Sequence, residues 1–334
     1  MQHKFINQYE YNQNMLHEKN TRKIFSLAIF SSSIMLTLLL LGYLFTADLY
    51  YFLVDIFGPS FNTEVSWYSL LIISSILTFV LPFLYLAKKA GIKFSESFKI
   101  NTQPPKKFWL YLPFALGTGY IINVIINLLF KDLLERFNDI ESNLPQSVTG
   151  IILVFVLVAI VPAIFEEWAF RGVLLRSLMP YGKVFALIVS SVVFGTMHIG
   201  PNRVVFATGF GLLAGFLYIK TGTIWYGALI HLVNNAFSIT AGFAAQKAIN
   251  IEMEEIFETA LIGIIVIGLI VTGVIGLVYF FRNKYFRIKT MHHITPPDKP
   301  KLIRSQYSVI AFLNGFTVFF IFLYIVTMIF EFFV

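Results

Sequence analysis

A handful of side chains in this chain could do chemistry. Glu166, Glu167 and Arg171 lie within "VPAIFEEWAFRGVLL" (Val161–Leu175), His198 ends "FGTMH", and His231 and Asn235 bracket "HLVNN". The flanking sequence reads as membrane interior, where ionisable groups are costly and face the bundle interior or water. Helical spacing sorts them. Glu167 and Arg171 are four apart, so they share a face and can pair. Glu166 is turned by about 100° from Glu167, which leaves it free for another task. His231 and Asn235 also share a face. Taken singly, each group has a bland reading: a structural ion pair for Glu167–Arg171, a packing carboxylate or proton relay for Glu166, an interfacial imidazole for His198. Together, two histidines, a free carboxylate and an amide suit the activation of water. The carboxylate can act as general base. Alternatively, a glutamate and two histidines (Glu166, His198, His231) form a zinc ligand set with an open position for water. An amide and an imidazole can donate to an oxyanion as a carbonyl is attacked. Both schemes point to amide hydrolysis inside a membrane.

The elements that position these groups follow from composition. The chain has 334 residues, 57% hydrophobic and 13% charged, with 37 Phe. A soluble domain carries about twice that charge fraction. Apolar runs of roughly 20 residues, enough to cross the hydrocarbon core as helices, recur along the chain. They are continuous rather than alternating, which argues against a β-barrel. The expectation is an all-α, polytopic transmembrane bundle of about nine spans, at 24–45, 67–87, 108–130, 148–177, 183–199, 204–220, 223–245, 257–281 and 307–333. The site residues fall on 148–245, flanked by accessory spans at 24–130 and C-terminal spans at 257–334. With no cysteine there is no disulfide framework, thiol nucleophile or Cys-bound metal. At 1.5 Å per residue, the depths of Glu166, His198, His231 and Asn235 in their spans come to about 17, 22, 12 and 18 Å, which lets them meet in one mid-membrane layer.

The net charge of +7 is a topology signal rather than a mark of nucleic-acid binding. Lys4, Lys19, Arg22 and Lys23 precede the first span, and the connector "TADLYYFLVDIFGPSFNTEVS" has no Lys or Arg. The basic connectors are Lys88–Lys107 and Arg282–Arg304, the latter within a loop at 282–306. Nine spans with a cytoplasmic N-terminal segment (1–23) put every basic connector inside. The polar segment before the first span reads as retained rather than as a cleaved leader. Gly211 and Gly215 are spaced for close helix packing, and Gly263, Gly268, Gly273 and Gly276 are read the same way. Pro162, four residues before Glu166, is expected to kink its helix and free a carbonyl near the site. The paired His292 and His293 read as part of a polar loop.

Three motifs now stand in order on separate spans: E-E-x-x-x-R in "EEWAFRG", F-x-x-x-H in "FGTMH" with Phe194, and H-x-x-x-N in "HLVNN". In this the chain resembles the CAAX-protease and bacteriocin-processing intramembrane proteases, also called the Abi family. The resemblance implies that Glu166, with His198, activates the attacking water. It implies that His231 and Asn235 stand at the oxyanion or at a metal, and that Glu167 and Arg171 support them. Members include metalloproteases and metal-independent glutamate proteases, so Zn is a cofactor in one version only. The implied partners are a membrane-bound protein or peptide substrate and the lipid bilayer, with no nucleic acid. Eukaryotic relatives cut prenylated C-terminal tails; bacterial ones are linked to bacteriocin immunity, peptide processing and surface-protein regulation. Usage rich in Phe, Ile and Lys suggests an AT-rich bacterium and its cell membrane. Two other functions fit less well: a catalytically inactive scaffold or immunity protein, and a proton-coupled transporter, for which no internal repeat or pair of broken spans is found.

Overall fold

In the computed structural model, the structure describes residues 2–98, 108–134, 144–198, 200–248, 253–282 and 315–333, and among these there is no strand. The helices are α1 (Gln2–Phe57), α2 (Glu64–Ala90), α3 (Phe94–Ser97), α4 (Phe108–Leu134), α5 (Val148–Phe155), α6 (Val161–Glu167), α7 (Arg176–Leu178), α8 (Lys183–Thr196), α9 (Pro201–Thr221), α10 (Trp225–Ala248), α11 (Met253–Arg282) and α12 (Gly315–Phe333). Wide π-helical turns at Val156–Ile160 and Trp168–Leu175 join α5 to α6 and α6 to α7, so Val148–Tyr181 forms one apolar span of 34 residues. Each predicted span is matched by helix within the described residues. Among the described residues, four helices are long and apolar enough to cross a membrane, and four more apolar helical stretches are shorter. The molecule is a helical membrane bundle. Large apolar side chains such as Phe52, Ile264, Ile267 and Phe322 are exposed on its periphery, as lipid-facing surfaces require.

Local chemistry explains several helix ends. Thr63 caps α2 by accepting from the Ser66 amide, and Ser147 caps α5 by accepting from the Gly150 amide. Gly91 and Gly222 end α2 and α9 in the left-handed region, at φ 69° and 72°, where a side chain is disfavoured. One boundary differs: the first span is expected to end at 45, yet the helix α1 runs unbroken to Phe57. No glycine or proline interrupts this aromatic stretch until Gly58-Pro59, which stop it. The polar residues before the first span are continuous with the same helix from Gln2. His198, expected in or at the end of a span, lies in the turn just past Thr196, where α8 ends. His292, His293 and the basic 282–306 connector beyond Arg282 lie outside the described residues.

The core is built around the glutamate helix. Trp168, Phe170, Val173, Leu174 and Leu175 are buried against Phe79, Phe83 and Leu86 of α2, Phe25 and Met35 of α1, and Phe194 of α8. The Trp168 indole donates to Ser97 Oγ at 2.9 Å, which pins the short α3 on this helix. α8 packs on α9, α4 on both α9 and α11, and α10 on α6 and α9. Glycine sets the α8–α9 distance: a Cβ on Gly211 would lie 3.0 Å from Ser191 Cα, and one on Gly215 would lie 2.6 Å from Leu187 Cδ1. In α11 the reading holds for half of the glycines. A Cβ at Gly273 would meet the Gly117 backbone at 2.6 Å and one at Gly276 would meet Phe114 at 2.9 Å, but Gly263 and Gly268 have no neighbour within 4 Å. Spacing alone does not tell a packed glycine from an unpacked one. Gly211→Val should therefore destabilise the folded protein by about 1–3 kcal/mol, while Gly263→Ala should leave it unchanged or slightly more stable. Thermal unfolding in detergent separates the two outcomes.

Candidate active site

The site is assembled from one helix with wide turns, one helix end and one polar helix face. A cavity of about 610 Å³ is lined by Glu166 and Pro162 of α6, Phe194 of α8, His198 of the following turn, and His231, Asn234 and Asn235 of α10. Tyr120, Arg203 and Phe206 complete its mouth. The structure thus brings together all four groups expected to converge, Glu166, His198, His231 and Asn235. Glu166, Glu167, Arg171 and His231 are buried, and Glu167 is fully so.

Glu167 and Arg171 pair at 2.9 Å, as their spacing predicts. Glu167 has a second partner that the spacing did not show: its Oε1 also lies 3.3 Å from Nδ1 of His231. Glu166 faces the other side of the same ring, with Oε2 4.0 Å from His231 Nε2. The two glutamates therefore bracket one imidazole, so Glu167 does more than neutralise the arginine. None of these carboxylate contacts is aligned as a hydrogen bond; charge holds the group together. Gly227 makes the arrangement possible. It stands one turn before His231, and a Cβ there would lie 2.6 Å from Glu167 Oε2. Phe194 fills the centre. The Arg171 guanidinium carbon sits 4.3 Å from its ring centroid, a cation–π contact, and the His198 and His231 rings lie 4.9 and 5.9 Å away.

Both remaining positions depend on helix carbonyls. His198 Nδ1 lies 3.0 Å from the Phe194 carbonyl, which also accepts from the Met197 amide at 3.3 Å. A carbonyl only accepts, so Nδ1 carries the proton. Pro162 has no N–H for the Val158 carbonyl four residues earlier. Asn235 supplies it, with Nδ2 donating to Val158 O at 2.8 Å. The carbonyl freed by proline, expected from sequence, is thus the anchor of the motif's asparagine. Asn234, which sequence reasoning passed over, donates from Nδ2 to Asn235 Oδ1 at 3.1 Å. Its only signal was its place beside Asn235. Arg203 and Tyr120 were missed too, because neither sits at a motif spacing.

The donor types of Glu166, His198 and His231 suit Zn²⁺, and each imidazole has its Nδ1 against an oxygen, the usual outer support of a zinc ligand. Their spacing is wider than coordination needs. Among the described residues no three His, Asp or Glu gather closely enough to hold a metal.

Residues 148–237 match the family described as type II CAAX prenyl endopeptidase Rce1-like. The chain is also similar to the candidate membrane peptidase YdiL of Bacillus subtilis (strain 168), 33% identical over 106 residues. That alignment covers 30% of this chain and 43% of the relative, so the chain spans less than half of the curated protein it matches. No solved structure matches. The matched segment 148–237 carries all three motifs. The match ends two residues after Asn235.

Removing one partner of a buried ion pair strands the other charge, at a cost of about 3–5 kcal/mol. Arg171→Met should destabilise the protein by that order, and adding Glu167→Gln should recover a large part of the loss. Denaturant unfolding of both variants checks the coupling. Gly227→Ala should keep the fold but push on the Glu167 carboxylate, lowering any activity at least tenfold.

Proposed function

We propose that this protein is an intramembrane endopeptidase that hydrolyses peptide bonds of membrane-embedded or lipid-attached substrates. One observation carries the reading: Glu166, His198, His231 and Asn235, from three separate motifs, line one cavity inside an apolar bundle. The match of residues 148–237 to the CAAX-protease family and the similarity to a candidate membrane peptidase support it.

The tautomers assign the work. With Nδ1–H turned to the Phe194 carbonyl, neutral His198 shows the cavity a lone pair on Nε2. Glu167 favours the same state in His231, whose Nε2 faces Glu166. The Glu166 carboxylate takes a proton from water held among these groups and passes it to the leaving amine, the usual double duty of a general base. His198 is a second proton acceptor for the same water. A neutral His231 of this tautomer cannot donate to an oxyanion, so that task falls to the amides. Asn235 has one Nδ2 hydrogen left after binding Val158, and Asn234 has one left after binding Asn235. Together they can stabilise the oxyanion formed at the scissile carbonyl.

A zinc version is the second reading, favoured by the Nδ1 contacts of both imidazoles. Glu166, His198 and His231 would hold the ion, which would supply a polarised water; their present spacing would have to contract.

Glu166→Gln and His198→Ala should each lower cleavage by about 10²–10⁴-fold with unchanged thermal unfolding. The measurement is comparative mass spectrometry of membrane peptides from cells with wild-type or Glu166→Gln protein. Identical peptide sets would sink the assignment. Elemental analysis of the purified protein separates the schemes: stoichiometric zinc lost with activity on chelation selects the metal version, and full activity without metal selects the glutamate version.

A further inference from the structure

A second cavity, of about 250 Å³, lies beside the first. α4 and α9 wall it, with Phe114, Phe206, Phe210 and Phe216 among its aromatic lining and Leu187 of α8 contributing too. Phe206 and Phe210 line both cavities. They stand four apart on α9, so they share a face. The Phe210 ring is only 5.0 Å from the His231 ring. The two spaces are therefore separated by the thickness of a ring.

Three features mark this space as one to be occupied. Gly119 gives Phe206 its position: a Cβ there would lie 2.3 Å from Phe206 Cε2, so the ring rests on bare backbone. Thr118 is one of the lining residues, and its hydroxyl is buried with no hydrogen-bond partner. Buried polar groups are normally satisfied, which points to a partner that arrives with a ligand. Leu212, also in the lining, is 39% exposed, so the space reaches the lipid-facing surface of α9. Its size is below the roughly 300–1,000 Å³ of a typical small-molecule pocket and suits one bulky side chain.

We propose that this cavity is the subsite for a large apolar side chain of the peptide substrate, next to the scissile bond. The proposal rests on the protease reading above and adds its specificity. A side chain seated here leaves its own backbone at the Phe206–Phe210 partition, with the neighbouring carbonyl delivered to Glu166 and His198. The unpaired Thr118 hydroxyl meets a peptide N–H or C=O of the arriving segment. The selectivity comes from filling space rather than from leaving water. Lipid is as apolar as the cavity, but a small side chain leaves a void whose lining loses its contacts. Phe, Leu or Met should be preferred over Ala or Gly by about tenfold or more.

The test uses purified protein in liposomes with a library of membrane-spanning peptides varied across the cleaved region, read by mass spectrometry. Wild type should cut beside Phe, Leu or Met. Ala115→Phe, which fills the cavity from α4, should shift the preference towards Ala and Gly by about tenfold while keeping cleavage of small-residue peptides. Gly209→Val, whose Cβ would stand at an ordinary 3.4 Å from Ile122 Cδ1, is the second variant should the first fail to fold. An unchanged preference in a folded variant overturns the proposal. A binding arm keeps it separate from the catalytic reading. Glu166→Gln protein is irradiated with a peptide carrying diazirine-phenylalanine, or with a diazirine phospholipid. Peptide labelling of the α4 and α9 segments that disappears in Ala115→Phe supports the subsite even if wild type cuts nothing, in which case only the protease reading fails. Labelling by the phospholipid alone makes the cavity a lipid site and overturns the proposal.

Discussion

Glu167 has no water to fall back on. It is fully buried among helices that would otherwise sit comfortably in lipid, and its charge is tolerated because Arg171 lies one turn along the same helix. An unpaired charge in such a place would be neutralised or would unfold its surroundings. The pair is therefore a condition for everything built around it. It fixes the face of α6 that turns inward, and it sets where Arg171 meets Phe194. It also offers a fixed carboxylate to His231 on another helix. Glu166, one residue earlier, inherits its direction from this arrangement.

The remaining parts of the site follow from satisfying that condition closely. Gly227 and Gly211 allow two helices to come near without side chains in between. Phe194 spaces the arginine from the two imidazoles. The polar face of α10, with His231, Asn234, Asn235 and Ser238, turns to the cavity. That polarity is why this helix is absent from those apolar enough to cross a membrane by composition alone. Its residence in the bundle depends on its neighbours, which is common for segments that line intramembrane cavities.

Much of this was legible in the chain itself. Apolar run lengths revealed the helices, and i,i+4 spacing revealed the ion pair and the shared face of His231 and Asn235. Three motifs in order revealed which groups belong together. Spacing describes one helix at a time, however. It could not show that Glu167 would reach across to His231, or that Asn235 would find the carbonyl opposite Pro162. It put His198 near the end of a span, but not in the turn that follows Thr196, where α8 has already ended. The wide turns on either side of α6 shift the faces of the helix relative to one another, so a regular 3.6-residue wheel drawn over Val148–Leu178 misplaces its ends. For the same reason Gly263 and Gly268 looked like packing positions: a period says which side of a helix a residue is on, and only a neighbour says whether that side is covered.

The link from Pro162 through the Val158 carbonyl to Asn235 has a wider meaning. A proline in a helix is usually counted as a missing bond. Here the missing bond works as an address, since a carbonyl in the membrane interior has no water to supply a donor and Asn235 on α10 supplies one. Sliding or rotating α10 by one residue would leave that carbonyl empty and move His231 by the same step. The helix thus carries its own alignment mark, and correct docking of the polar face is checked by a hydrogen bond rather than left to the fit of apolar surfaces, which in lipid discriminate poorly.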